Sequence, residues 1–159
     1  SLLFSTKAEY GVRLMVELGR QPGERPVSLG VVAEAEKLPL AYLEHLVAKL
    51  RKEGLVTSTR GAHGGYRLAK PASEITMDEV VEALEGQITP MECFHETPEG
   101  KVLCSHEGEG EAGGCATRLL WTRVQGGVGR ALAGTTLAEL VEFAGPRNTQ
   151  PREAVAGPA

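Results

Sequence analysis

Apolar residues near the start of the chain recur at intervals of three and four. Between Lys7 and Leu18, Ala8, Val12 and Met15, with Gly11, Leu14 and Leu18, fall at helical spacing, and Ser5-Thr6 precedes them where an N-cap is wanted. A loop with proline and glycine, "RQPGERPV" (20–27), interrupts the pattern. Ser28 can cap a short helix over Leu29–Glu36 with Val32 and Ala33 inward. After a tight break at Lys37-Leu38-Pro39, a longer helix, Leu40–Glu53, carries the apolar stripe Leu43, Leu46, Val47 and Leu50. The texture then turns strand-like. Leu55–Thr59 and Tyr66–Ala69 flank the turn Gly61-Ala62-His63-Gly64-Gly65 and stop at Pro71, which predicts a hairpin. Thr76 and Glu79 have the spacing of a capping box for a helix ending at Glu85, closed by Gly86. Periodicity lapses over 87–114. It returns over Ala116–Ala133, with Leu119, Leu120, Val124 and Val128, weakened by three glycines. A second capping box, Thr136 and Glu139, opens Leu137–Phe143, and the tail from residue 144 is expected to be unstructured.

A short helix, a three-residue break and a longer helix are the pattern of a helix-turn-helix, and a hairpin directly after it makes a wing. The expected fold is mainly α with a small β-hairpin. Four units follow: a winged helix-turn-helix over 2–86, a cysteine-bearing segment over 87–115, a long helix and a short one over 116–143, and a tail over 144–159. A chain of 159 residues, 42% hydrophobic, suits one domain with an appendage. No run reaches the roughly 18 apolar residues that span a bilayer. The opening "SLLFSTKAEYG" has no cationic region before an apolar core, so no secretory leader and a cytoplasmic location are expected.

The net charge of −4 does not advertise nucleic acid, but its distribution does. Between 49 and 70, Lys49, Arg51, Lys52, Arg60, Arg67 and Lys70 face Glu53 alone, a local +5. Between 89 and 117 six glutamates face Lys101, a local −5. The basic stretch coincides with the second helix of the helix-turn-helix and the wing, the elements that enter DNA grooves in such proteins. Leu40, Ala41, Tyr42, Glu44 and His45 lie at the start of that helix, and the apolar stripe leaves Ala41, Glu44 and His45 for a different face. Glu44 either accepts a hydrogen bond from cytosine N4 or is an ordinary exposed helix glutamate; the sequence leaves both open. Lys49, Arg51 and Lys52, further along, suit phosphate contacts that position without specifying. At the wing, Arg60 precedes Gly61, His63, Gly64 and Gly65, which suits a minor-groove approach or a plain exposed turn. Lys7 and Ser28 complete the expected DNA-contacting set.

Leu3-Phe4-Ser5-Thr6-Lys7, Tyr10-Gly11, "YLEHLVAKLRKEGLV" (42–56), "RGAHGGYRLAKPASEIT" (60–76) and "TTLAEL" (135–140) together resemble a family of bacterial winged-helix repressors. That family includes the iron–sulfur cluster regulator and the nitric-oxide-sensing nitrite repressor. The resemblance covers residues 2 to about 143. It implies a homodimer on a palindromic operator in double-stranded DNA, with the helix Ala116–Ala133, bearing Trp121, as a dimerisation helix. It also implies an iron–sulfur cluster, [2Fe–2S] or [4Fe–4S], held by Cys93, Cys104 and Cys115. Here both gaps between cysteines are ten residues, longer than is usual in the family, and Ala62-His63 stands where members often have Pro-Gly.

By themselves the three cysteines argue for a metal or redox role rather than a disulfide framework, given an odd count in a reducing compartment. No pair has the close spacing of zinc or ferredoxin sites. A cluster needs a fourth ligand. Glu9 matches the place from which some family members supply a carboxylate, and His95 and His106 are alternatives. The functional expectation is a transcription regulator, a repressor whose operator affinity follows the state of a cluster that senses redox state, nitric oxide or iron–sulfur status. A cluster-free thiol regulator and a winged-helix protein adaptor are the competing readings. No triad, paired-carboxylate, P-loop or GxGxxG pattern points to an enzyme.

Overall fold

The computed structural model describes residues 3–21, 25–88 and 115–146. Helix α1 spans Thr6–Gly19, α2 Leu29–Glu36 and α3 Leu40–Lys52. Strands β1 (Val56–Thr59) and β2 (Gly65–Leu68) follow, then a 3-10 turn at Ala72–Glu74, α4 (Met77–Glu85), α5 (Ala116–Ala133) and α6 (Leu137–Ala144). The winged helix-turn-helix is therefore present, mainly helical with one antiparallel hairpin in the register Val56↔Leu68 to Thr59↔Gly65.

Local chemistry accounts for the helix boundaries. The Ser5 hydroxyl accepts from Lys7 N at 3.2 Å and the Ser28 hydroxyl accepts from Val31 N at 3.3 Å, so each satisfies an orphan donor of its helix. Both expected capping boxes form, at Thr76/Glu79 and Thr136/Glu139. The turn between α2 and α3 is made by Lys37, whose φ of 55° is the one non-glycine positive value among the described residues.

The core joins α1, α2, α3, the hairpin and α4. Leu14, Met15, Leu43, Leu46 and Leu50 are almost completely buried, as the apolar stripes predict, and Ile75 and Leu84 join them. Val12 is only partly buried, while Glu17 is buried. The stripe rule has no way to place an acidic residue inside. Glu17 is tolerated there because Arg20 donates to it at 3.2 Å.

Two pairings escape the sequence pattern. Val27 bridges Tyr66, with Val27 N donating to Tyr66 O and Tyr66 N to Val27 O, each at 2.8 Å, so a third extended segment lies beside the wing. Thr76 bridges Thr136, with Met77 N donating to Thr135 O at 3.0 Å and Leu137 N to Ile75 O at 2.8 Å. This second pairing fastens α6 to the winged unit. Leu137 is fully buried in the common core, and Leu140 and Val141 pack against it. Helix α5, by contrast, has no fully buried residue, and its Leu119 and Leu120 are 57% and 53% exposed. Despite Gly126, Gly127 and Gly129 it is one continuous helix. No helix among the described residues is long and apolar enough to cross a membrane.

Candidate nucleic-acid interface and cysteine site

Helix α3 turns Leu43, Leu46, Val47 and Leu50 into the core, which leaves Ala41, Glu44 and His45 exposed on its opposite side. Tyr42 is half-buried and firmly held. Its ring meets Tyr10 edge-on, centroids 5.8 Å apart at 87°, and its hydroxyl lies 3.3 Å from Thr6 Oγ1. Thr6 and Tyr10 sit one helical turn apart on α1, so a single face of α1 props the start of α3. Sequence reasoning missed this support, although the i, i+4 spacing of Thr6 and Tyr10 was the available signal.

The basic residues divide. Arg51 and Lys52 are exposed in the last turn of α3. Lys49 is half-buried and donates to the Leu84 carbonyl at 3.4 Å, which satisfies the C-terminal end of α4. Lys7 is exposed on the first turn of α1. Ser28, also exposed, serves as the α2 cap.

In the wing, Arg60, Gly61 and His63 are exposed at the tip, and Gly64 N donates to Gly61 O at 3.0 Å to close the turn. Gly65 is different. Its φ is +155°, and a side chain there would run into the Val27 backbone. Glycine is thus needed at Gly65, directly after the wing turn, where the Val27 segment comes too close for a Cβ.

At the cysteine site, Cys93, Cys104, His95 and His106 lie outside the described residues. Cys115 is the N-cap residue of α5 and is exposed. Its Sγ lies 3.0 Å from the Thr117 hydroxyl. That contact, then the backbone N–H of Arg118, pulls the thiol below its ordinary pKa, toward the thiolate that metals and electrophiles require. Glu9 is exposed on α1 and accepts from Arg13 at 2.9 Å. Arg13 also reaches Glu36 at 3.4 Å. Burial and then the neighbouring Glu17 carboxyl push Glu36 above the usual carboxylate range, against the opposing pull of Arg13. Among the described residues no three His, Cys, Asp or Glu side chains converge as a metal site. As donors, the thiolate-prone Cys115 fits iron ligation, and the exposed Glu9 carboxylate fits once Arg13 yields it.

A core-anchored helix-turn-helix with an exposed outer face and a basic, glycine-turned wing defines a winged-helix transcription regulator. The chain belongs to the Rrf2 family: the profile described as Rrf2, iron-dependent transcriptional regulator, matches residues 4–143. It is similar to Protein rrf2 of Nitratidesulfovibrio vulgaris, with 37% identity over 146 residues and 91% of each chain covered. The regulator IscR of Serratia proteamaculans is 37% identical over 137 residues, 86% of this chain and 77% of that one. In three dimensions the chain is similar to CymR (YrzC), the global cysteine regulator of B. subtilis, at 38% identity and a TM-score of 0.72, covering 90% of this chain and 98% of that one. The family is one of transcriptional regulators, not enzymes.

Proposed function

We propose that this protein is a cytoplasmic, homodimeric repressor that binds a palindromic operator and releases or grips it according to the state of an iron–sulfur cluster. The outward face of α3 supports the DNA-reading part: Ala41, Glu44 and His45 are exposed together while Tyr42 is clamped from behind, so base-facing side chains start from a fixed backbone. Arg51 and Lys52 then meet phosphates and Arg60 enters the minor groove. Helix α5, with no fully buried residue and with Leu119 and Leu120 exposed, supplies the dimer contact. The cluster reading rests on the iron-dependent family and on the thiolate-prone Cys115 at the start of α5. Cys93, Cys104 and Cys115 supply thiolates, with Glu9 as the fourth ligand. The cluster supplies a cross-link between them. Cys115 thereby fixes the N-terminal end of α5, and Glu9 ties α1, which props α3, to the same point.

A second reading is favoured by the same Cys115. An exposed, activated thiol in a chain resembling a cysteine regulator is also what a cluster-free thiol switch needs. Anaerobic purification separates the two. The cluster reading expects iron and sulfide in near-equal amounts, a visible absorbance band, and loss of both in Cys93→Ala, Cys104→Ala and Cys115→Ala alike. Colourless protein whose operator affinity still changes with thiol oxidation selects the second reading.

A further inference from the structure

Leu40 opens α3 and is 45% exposed, whereas Leu43, Leu46, Val47 and Leu50 of the same helix are at most 2% exposed. It takes no part in the core, and the cap position of the helix belongs to Pro39. An exposed leucine by itself is ordinary. Its surroundings are not. Between Leu40 and Ala48 the helix carries no lysine or arginine, and its exposed residues there are Leu40, Ala41, Glu44, His45 and Ala48. Exposed cations stand only at the two ends: Lys37 in the preceding turn, and Arg51 and Lys52 in the last turn. The first two turns of α3 thus have no cation with which to hold a phosphate. What they present is carbon, one carboxylate and one imidazole.

We propose that Leu40 is a specificity-determining residue that packs on the 5-methyl group of a thymine in the major groove; the proposal rests on α3 being the DNA-reading helix. Residues at the start of a recognition helix are the ones that reach base edges. Side chains on an α-helix lean toward its N-terminus, so that of the first residue extends past the helix end. In the major groove the thymine methyl is the one apolar group on a base edge. A leucine gains by covering that methyl, and it loses where it strips water from the donors and acceptors of another base. Leu40 and Glu44 are four residues apart and both exposed, so they are neighbours on one face of the helix. The methyl contact therefore falls beside the base that Glu44 faces.

The test uses the full-length protein and the operator it selects from randomised duplexes. Each thymine of a half-site is replaced in turn by deoxyuridine, which removes the methyl and keeps the base-pairing groups. At one thymine per half-site the exchange should weaken binding about fourfold, the worth of one buried methyl. Leu40→Ala should bind the thymine and deoxyuridine duplexes equally, so that the two losses overlap in a double-mutant cycle. A C·G pair at that position should bind more weakly than T·A, and 5-methylcytosine, which restores the methyl, should recover part of the loss. Leu40 lies outside the core and alanine is the better helix former, so the variant should fold, and circular dichroism checks it. The base exchanges question the contact in the unaltered protein as well. A selected operator without thymine overturns the proposal, as does the lack of an effect at every thymine. A deoxyuridine effect that persists in full in Leu40→Ala also overturns it and belongs to the stiffness of the duplex. These three outcomes leave the DNA-reading role of α3 standing, whereas failure to select any sequence over another overturns both.

Discussion

Gly65→Ala isolates what a wing glycine is for. Two accounts compete: close approach to DNA, or close approach of the protein to itself. The geometry favours the second. At φ +155° an alanine sits in a region that L-residues avoid, at a cost of about 1–3 kcal/mol. The new methyl also presses on the Val27 carbonyl, which must withdraw. Val27 holds two short hydrogen bonds to Tyr66, both at 2.8 Å, and withdrawal strains both, each worth about 1 kcal/mol. Against this, alanine loses less unfolded-state entropy than glycine, a gain of about 0.4–1 kcal/mol. The net expectation is a loss of about 2–4 kcal/mol in the absence of DNA. Urea unfolding followed by circular dichroism at fixed protein concentration measures it. Gly61→Ala is the internal control: its φ is +119°, but nothing lies within 4 Å of the added methyl, so only the strain remains, about 1–2 kcal/mol. A Gly65→Ala loss below about 1 kcal/mol, or one equal to that of Gly61→Ala, refutes the backbone-contact account.

Gly11→Ala should destabilise by about 1–2 kcal/mol although alanine is the better helix former, because its methyl meets the buried Leu84 side chain; a stabilised variant in the same unfolding assay would contradict this. Glu36 holds its proton to higher pH when folded than when unfolded, so its contribution to stability is full below the unfolded pKa and declines as pH rises through the folded one. Glu36→Gln should flatten that decline and raise stability at neutral pH, which Tm measured across acidic to neutral buffers would register. Arg60→Ala should weaken operator binding by about 1–3 kcal/mol, and unchanged affinity at physiological salt would remove Arg60 from the minor groove. Glu44→Ala should relax base preference more than it lowers affinity; selection from randomised duplexes that returns the same consensus would leave Glu44 without a reading role.

The sequence made the helices and hairpin legible because each carries its own signal: stripes of period near 3.6, hydroxyl caps at Ser5 and Ser28, and two capping boxes. Family motifs added the order in which they assemble. What stayed hidden was non-local. Nothing in the letters of Val27 says that it will pair with Tyr66, nor in Thr76 that it will pair with Thr136, since an isolated bridge has no period. Charge alone predicts exposure, yet Glu17 is buried against Arg20, and Lys49, expected among the phosphate contacts, is half-buried and donates to the end of α4. The outward residues of α3 were legible by subtraction, as the positions the apolar stripe leaves over. The clamp on Tyr42 was not, because it depends on how α1 and α3 cross.

The pairing of Thr76 with Thr136 closes the chain into a loop at its neck. The sequence leaves at Met77 and returns at Thr135, and its two ends are pinned side by side by backbone hydrogen bonds. A closed loop is indifferent to how long it is: doubling the length of a flexible segment costs only about 0.6 kcal/mol of closure entropy. The spacing of ten residues between successive cysteines can therefore lengthen or shorten without any adjustment in the winged helix-turn-helix. Insertions and deletions between Met77 and Thr135 thus leave in place the backbone pairing that seats α6 on the winged unit.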